Sequence, residues 1–450
     1  MPTAKISIST SNPRIKNILQ ALLSSSLEAA NPEKAMKRMI TLKGSRLCVN
    51  KVDYDLATFN RIVCVGAGKA SAHMALTLEQ IVGIHLEGGL VIVKDGYGAP
   101  TKNIRIIEAS HPLPDQRGVR ATRHILSLVQ SLTKQDLLIV LLSGGASSLL
   151  CAPACGLTLT NKRRATNLLL RCGATIHELN TVRKHLSAIK GGQLAKATSA
   201  NILTLIISDV LGDDLATIGS GPTAPDPTTF QEAKDILKHY KIWTKIPQAV
   251  QDHLEQGIHG QVPETLKRKN RISRRIHHVV LANNRHSIDA VAKKAKGIGL
   301  HPFIIPTPLQ GEAKEIGSIL GLMAKDLCEF GNPVSPPACL LAGGEPTVTV
   351  TGTGMGGRAQ ECVLAAAEEL AGLRHVVVAG FGTDGTDGPT EVAGVVVDGN
   401  TMKRAQKMGM DPRKMLAAND SYTFFKKVGG HIRTGPTGTN VNDIYLVLAL

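Results

Sequence analysis

Short apolar runs ending in Gly, Ser or Asp alternate along this chain with stretches of helical amphipathic spacing. In the first half the runs lie at 61–65, 90–93, 104–109, 137–142 and 202–208, and helical spacing fills 73–82, 116–131 and 162–172. Strands apolar on both faces and separated by helices predict a parallel sheet covered by helices. The pair 90–93 and 104–109 also admits an antiparallel edge. Gly221 to Pro227, with three prolines in seven residues, interrupts the pattern and is expected to close the first region. Residues 230–239 then read as a helix, and 245–275, polar, basic and weakly periodic, as a connecting segment or a solvated helix. The rhythm resumes with strands predicted at 278–282, 303–305, 339–342, 347–351, 376–379, 395–397 and 444–450, and helices at 287–296, 312–327 and 358–370. With no internal repeat and no low-complexity tract, two α/β domains with a cleft between them are the expected architecture.

Composition narrows the class. The 450 residues are 43% apolar, enough for a sizeable core in more than one domain. No run of about 18 apolar residues occurs, so no membrane-spanning helix is expected. The polar start, residues 1–14, has no apolar signal core, and a cytoplasmic location is expected. Lys and Arg total 52 against 36 Asp and Glu, a formal charge of +16 that favours anionic partners. Aromatic residues are only 3% of the chain, a poor supply of stacking surface for nucleic acid. Phosphorylated or acidic small molecules fit the charge better. The eight cysteines include no CxxC pair, so neither a structural zinc nor disulfides are expected.

The candidate chemistry sits where strand runs end. Gly66-Ala67-Gly68-Lys69 follows the 61–65 run directly; its glycines let backbone approach an anion, and Lys69 adds a cation at the mouth of the turn. It is not a P-loop, which needs Gly at Val63 and Ser or Thr at Ala70, nor a full dinucleotide fingerprint, since Ser71 stands at the third glycine. Ser143-Gly144-Gly145-Ala146-Ser147-Ser148 forms either an oxyanion nest or a simple helix cap. His111, in the 108–115 segment, is most simply a locally hydrogen-bonded histidine, and Asp115 a helix cap. The stretch 180–192 offers Arg183 and Lys190 as phosphate contacts, or else forms a solvated helix face. Asp209, Asp213 and Asp214 crowd three carboxylates just after a predicted strand; facing a cation, for which Mg²⁺ is the natural choice, or capping a helix relieves that crowding.

In the second half, Gly352, Gly354, Gly356 and Gly357 precede Arg358 at the start of a predicted helix. Free backbone donors, a helix dipole and a guanidinium suit a phosphoryl group, whereas a plain glycine-rich hairpin leaves Arg358 without a purpose. Gly382 to Pro389, with Asp384 and Asp387, looks like a calcium loop but lacks the EF-hand ligand series. With Asn419 to Ser421, and with Asn440 in the 434–443 segment, it reads as a polar rim.

Through GAGKA (66–70), EASHPLPD (108–115), SGGASSLL (143–150), NTVRKHLSAIKGGQLA (180–195), SDVLGDDLATIGSGPTAPDPTTF (208–230), GGEPTVTVTGTGMGGRAQE (343–361), GTDGTDGPT (382–390) and TGPTGTNVNDI (435–444), the chain resembles the glycerate 2-kinase family that carries a MOFRL domain. The resemblance covers nearly the whole chain. It implies ATP-dependent phosphorylation of D-glycerate at the 2-hydroxyl, giving 2-phosphoglycerate and ADP. It also implies an N-terminal Rossmann-like α/β domain, 1–245, a C-terminal α/β domain with the MOFRL region, 246–450, and an active site in the cleft. On the family pattern Lys69 and Arg358 carry the catalysis with Asp209 or Asp213, and Mg²⁺ binds near those two aspartates. Gly66, Gly68, Ser143, Gly144, Gly145, Arg183, Gly354, Gly356, Gly357, Asp384, Asp387 and Asn440 are the expected substrate or nucleotide contacts, and the base is an unassigned Asp. Ala146, Leu211 and Ala359 stand where relatives commonly have Gly, Pro and Asn. The implied partners are D-glycerate and ATP, with neither nucleic acid nor membrane; a homo-oligomer stays open. A nicotinamide-dependent hydroxypyruvate reductase, a label some relatives have carried, would want a complete GxGxxG and a ribose-binding acid, and Ser71 argues against it. A non-catalytic anion- or nucleic-acid-binding protein is disfavoured by the ordered glycine–acid blocks.

Overall fold

The computed structural model describes residues 6–10 and 12–450, so part of the polar start, residues 1–5 and 11, lies outside the described residues. The chain divides into two compact units, Pro32–Leu281 and Met1–Asn31 with Ala282–Leu450. The expected boundary at 245 is therefore corrected at both ends. The turn at 221–227 does not close the first unit, because Ile276–Ala282 returns as an edge strand of its sheet. At the other end, the helix Pro13–Ala30 packs Leu19, Leu22 and Leu23 into the core of the second unit.

In the Pro32–Leu281 unit a six-stranded sheet runs in the order Ile276–Ala282, Asn201–Ile207, Leu137–Leu142, Ile62–Ala67, Gly88–Lys94, Ile104–Ala109. The last five strands pair in parallel, so 104–109 is a parallel neighbour of Gly88–Lys94 and the antiparallel edge does not form. Leu137–Leu142 is buried throughout, as a strand covered on both faces must be. Chain order steps outward from Ile62–Ala67 to 104–109 and then returns to its other side at Leu137–Leu142. The crevice at that reversal, at the carboxyl ends of these two strands, is where an open α/β sheet binds ligands. A three-stranded antiparallel sheet of Ile40–Lys43, Arg46–Val49 and Val52–Asp55 was not expected. The basic stretch 245–275 contains the helix Gln248–Ile258, which buries Val250 and Leu254 against Phe230, Leu237 and Leu179.

In the second unit seven strands form a mixed sheet, ordered Ser7–Ile8, His431–Arg433, Gly394–Asp398, Val376–Gly382, Asp443–Ala449, Ala338–Gly344, His301–Ile304. Helices Ala313–Phe330 and Arg358–Glu369 share one apolar core with the sheet, and helices Pro13–Ala30 and Asn284–Gly297 another. The C-terminal strand enters antiparallel between two strands, and this register sets Asp443 opposite both Gly344 and Gly382. The strand expected at 347–351 does not form. Thr347 makes one isolated bridge to Glu312, and the N–H groups of Thr349 and Thr351 donate to the Glu312 carboxylate and the Asn419 carboxamide.

Candidate active site

At the switch point, the turn after Ile62–Ala67 lies against the turn after Leu137–Leu142. Lys69 N–H donates to the Gly144 carbonyl at 2.8 Å, and Ala70 N–H to Ser143 Oγ at 3.0 Å. Ser143 Oγ also shares a hydrogen bond with Ser71 Oγ at 2.9 Å and is buried. Ser143, expected as a ligand contact, is thus turned inward as the tie between the two turns. Gly66 and Gly68 serve that same close approach. A Cβ on Gly66 would stand 2.2 Å from the Leu141 carbonyl oxygen, and one on Gly68 2.1 Å from Ser143 Oγ.

Gly145 is left-handed, φ +88°, and a Cβ on it would meet the His111 ring at 2.9 Å and Lys69 Cγ at 3.6 Å. His111, Lys69 and Gly145 therefore stand together at the crevice, which moves His111 from a local hydrogen-bonding role into the candidate site. Burial, with the charges of Lys69 and Lys94, pushes its imidazole down to about 4, so it is neutral at pH 7.

Asp209 and Asp213 follow the adjacent strand Asn201–Ile207 and are both partly exposed; Asp213 holds a left-handed φ of 54°. Asp214 is exposed and ties the turn that follows it, accepting from Ala216 N–H and Thr217 Oγ–H. No group of three or more metal-ligating side chains occurs among the described residues. Mg²⁺ usually takes only one or two carboxylates beside phosphate and water, so Asp209 and Asp213 suit it as a donor set.

Arg183 is on the helix Ile176–His185, and its charge bears on Lys162 and Lys190. Ser147, two residues beyond Gly145, reaches this group: Lys190 Nζ donates to its carbonyl at 2.5 Å.

In the second unit, Gly354, Gly356, Gly357, Arg358, Asp384, Asp387 and Asn440 all line one cavity of about 610 Å³, together with Asp443. The backbone donors expected to face an anion there are largely used inside the protein. Gly354 N–H donates to the Ala418 carbonyl, Met355 N–H to Asp420, and Gly352 N–H to Asn419. The first helical donors, Ala359 and Gln360 N–H, go to the buried Asp387 carboxylate at 3.1 and 2.8 Å. Asp387 thus occupies the helix N-terminus where a ligand phosphate was expected. The glycines admit this packing; a Cβ on Gly357 would sit 2.3 Å from Asp387 Cγ, and one on Gly354 2.3 Å from Asp420 Cβ.

Arg358 acquires its purpose from two carboxylates that motif reasoning did not single out. Its Nε and Nη2 donate to Asp443 at 2.6 and 3.1 Å, and Nη1 to Glu345 at 2.8 Å. Asp443 is almost fully buried. Burial raises its carboxyl to about 7, against the pull of Arg358 and with the help of Asp387 and Glu345. Three of the five guanidinium N–H donors are engaged, leaving two at the cavity.

The family of unknown function DUF4147 matches residues 18–255, and the MOFRL family matches residues 338–443. A glycerate 2-kinase of Pyrococcus horikoshii is 41% identical over 96% of this chain and 97% of its own. An Agrobacterium vitis protein named, provisionally, hydroxypyruvate reductase is 43% identical over 86% of this chain and 87% of its own. The crystal structure of a glycerate kinase from Thermotoga maritima superposes with a TM-score of 0.86 at 37% identity, covering 98% of this chain and all of that one. Ordered motifs, both family matches and full-length relatives agree: the chain belongs to the glycerate 2-kinase family that carries a MOFRL domain.

Proposed function

We propose that this protein transfers the γ-phosphoryl group of ATP to the 2-hydroxyl of D-glycerate, releasing 2-phosphoglycerate and ADP. The observation that carries the reading is the Arg358 guanidinium, fixed on three N–H groups by Asp443 and Glu345 while lining a 610 Å³ cavity. Phosphoryl transfer asks a protein chiefly for alignment and charge neutralisation. The glycerate 2-hydroxyl oxygen forms the new bond to phosphorus as the bond to ADP breaks, and the hydroxyl proton leaves to a carboxylate of the site.

Arg358 meets the equatorial oxygens with its two remaining donors. In the Pro32–Leu281 unit, Lys69 offers its cation to a ligand anion at the switch-point turn, which Gly144 and Gly145 shape. Asp384 and Asn440 border the same cavity as Arg358 and contact the bound ligands. Asp209 and Asp213 hold the Mg²⁺ ion, which when bound supplies charge neutralisation on the nucleotide phosphates. Among the described residues no helix is long and apolar enough to cross a membrane.

Incubation with ATP, Mg²⁺ and D-glycerate tests the assignment. Phosphorus NMR is expected to show 2-phosphoglycerate as product, and predominant 3-phosphoglycerate would overturn it. NADH mixed with hydroxypyruvate and the protein is expected to stay unoxidised; oxidation at enzymic rates would favour the reductase.

A further inference from the structure

We propose that Lys162, Arg183 and Lys190 form a buried site for a phosphate group within the Pro32–Leu281 unit. Lys162 lies on the inner stripe of the helix Leu159–Arg171, in line with Leu159, Ala165 and Leu169, while its neighbours Arg163 and Arg164 are exposed. Only 6% of Lys162 is exposed, and its Nζ is sealed from solvent with no hydrogen-bond partner among the described residues. An ammonium in that state has lost its water and gained nothing in return. Lys190, also buried, donates among the described residues to Ser147 alone, at 2.5 Å to the carbonyl and 3.3 Å to the hydroxyl. Arg183 stands half-buried on the last turn of its helix, and its charge bears on both lysines.

No carboxylate among the described residues comes within ion-pair reach of any of the three. The buried Asp226 is held by a fourth cation, Lys184, at 3.2 Å. Like charges thus share one desolvated region. Burial, together with Arg183, brings the Lys162 ammonium down to about 8, and burial with Lys162 and Arg183 holds Lys190 well below its ordinary value.

A chain that gathers three cations away from water and supplies no counter-charge has built the positive half of an ion pair. A phosphate fits the other half best, because it brings up to two negative charges and several acceptor oxygens, where a carboxylate brings one charge. The polar wall is also tightly ordered. Ser147 Oγ lies 2.6 Å from Ser220 Oγ, which donates to Asn180 Oδ1. Ser220 holds φ +62° between two left-handed glycines, a conformation that a serine rarely keeps without tertiary support.

Calorimetric titration of the full chain with inorganic phosphate, at constant ionic strength set with chloride, tests the site without turnover. Saturable binding is expected, with acetate at least about tenfold weaker. Lys162→Met keeps the stem volume in the core, so it is expected to weaken phosphate binding at least about tenfold and, without phosphate, to raise Tm. Arg183→Met, at the half-buried rim where folding is not at stake, is expected to give the same loss. Parallel titrations with 2-phosphoglycerate and ADP identify the source of the phosphate: the ligand whose affinity falls in Lys162→Met carries it, and if neither falls the ligand is free phosphate. Absence of saturable phosphate binding, or unchanged affinity in both variants, overturns the site. These readings do not depend on the kinase assignment, which stands or falls on its own product.

Discussion

Asp443 grips the edge of the Arg358 guanidinium, accepting from Nε at 2.6 Å and from Nη2 at 3.1 Å. The sheet register makes that grip possible. The antiparallel entry of Asp443–Ala449 puts its first residue between Gly344 and Gly382, two positions without side chains to crowd the carboxylate. Glu345, the next residue after Gly344, closes on Nη1. Arg358 opens its helix at N1, after Gly357, so helix start, strand start and strand end converge on one guanidinium.

Arg358→Lys keeps the charge and loses the fork. Lysine has no planar pair of donors to span Asp443 and reach Glu345 at once. Turnover is expected to fall about 10²-fold or more, the usual worth of one preorganised charge contact in a transition state. The helix Arg358–Glu369 should persist, since Lys forms helix nearly as well as Arg. Steady-state kinetics decide the role. Unchanged turnover with a raised KM for ATP would make Arg358 a uniform binding residue.

Asp443→Asn has a pH signature. The folded carboxyl titrates near 7, well above the ordinary aspartate value it regains on unfolding. Between those two values the folded state binds the extra proton, so stability is highest at the acid end and falls as pH rises toward 7, then levels. The Asn variant cannot release a proton, and its stability is expected to lack this downward slope. Denaturant melts from pH 4 to 8 measure it. Parallel profiles for wild type and variant would mean that Asp443 stays ionised throughout.

The parallel sheet was legible because a strand covered on both faces must be apolar at nearly every position, as in Leu137–Leu142. Residues 347–351 carry the same β-branched character, yet no strand lies alongside to pair with them, and side chains of Glu312 and Asn419 take their N–H groups instead. The helix Pro13–Ala30 lies outside the expected elements, although Ile15, Leu19, Leu22, Leu23 and Leu27 trace its buried stripe. Of the candidate residues, Lys69 and Arg358 are marked in the sequence by the glycine turns that precede them. Asp443 is not, because its place depends on a register set by strands about 60 and 100 residues upstream. Lys162 hid in a run of three basic residues, and only the spacing Leu159, Lys162, Ala165, Leu169 marks it as facing inward.

Lys69→Ala is expected to lose most activity, about 10²-fold or more, with the fold intact. The Lys69 backbone N–H donates to Gly144 across the turn, a bond that the substitution leaves in place. A second readout follows the neighbour. Burial is the main cause of the low His111 value and the Lys69 charge the next, so the imidazole should titrate part of the way back up from about 4 when that charge is removed. Proton NMR of the histidine ring reports it. An unmoved His111 with normal turnover would leave the turn a packing feature alone.

Gly145→Ala separates backbone strain from the contact that matters. Gly145 and Gly156 are both left-handed, at φ +88° and +78°. A Cβ on Gly156 would meet nothing within 4 Å, whereas one on Gly145 would press the His111 ring at 2.9 Å and approach Lys69 Cγ. Each alanine is expected to cost about 1 kcal/mol for its conformation alone. Gly145→Ala should cost more, because His111 must move, and it alone should lower turnover by displacing His111 and Lys69 at the crevice. Chemical denaturation and steady-state rates on the two variants give the comparison. Equal losses of stability with normal turnover in both would show that the crevice tolerates displacement of these side chains, and Lys69 would lose its place in catalysis.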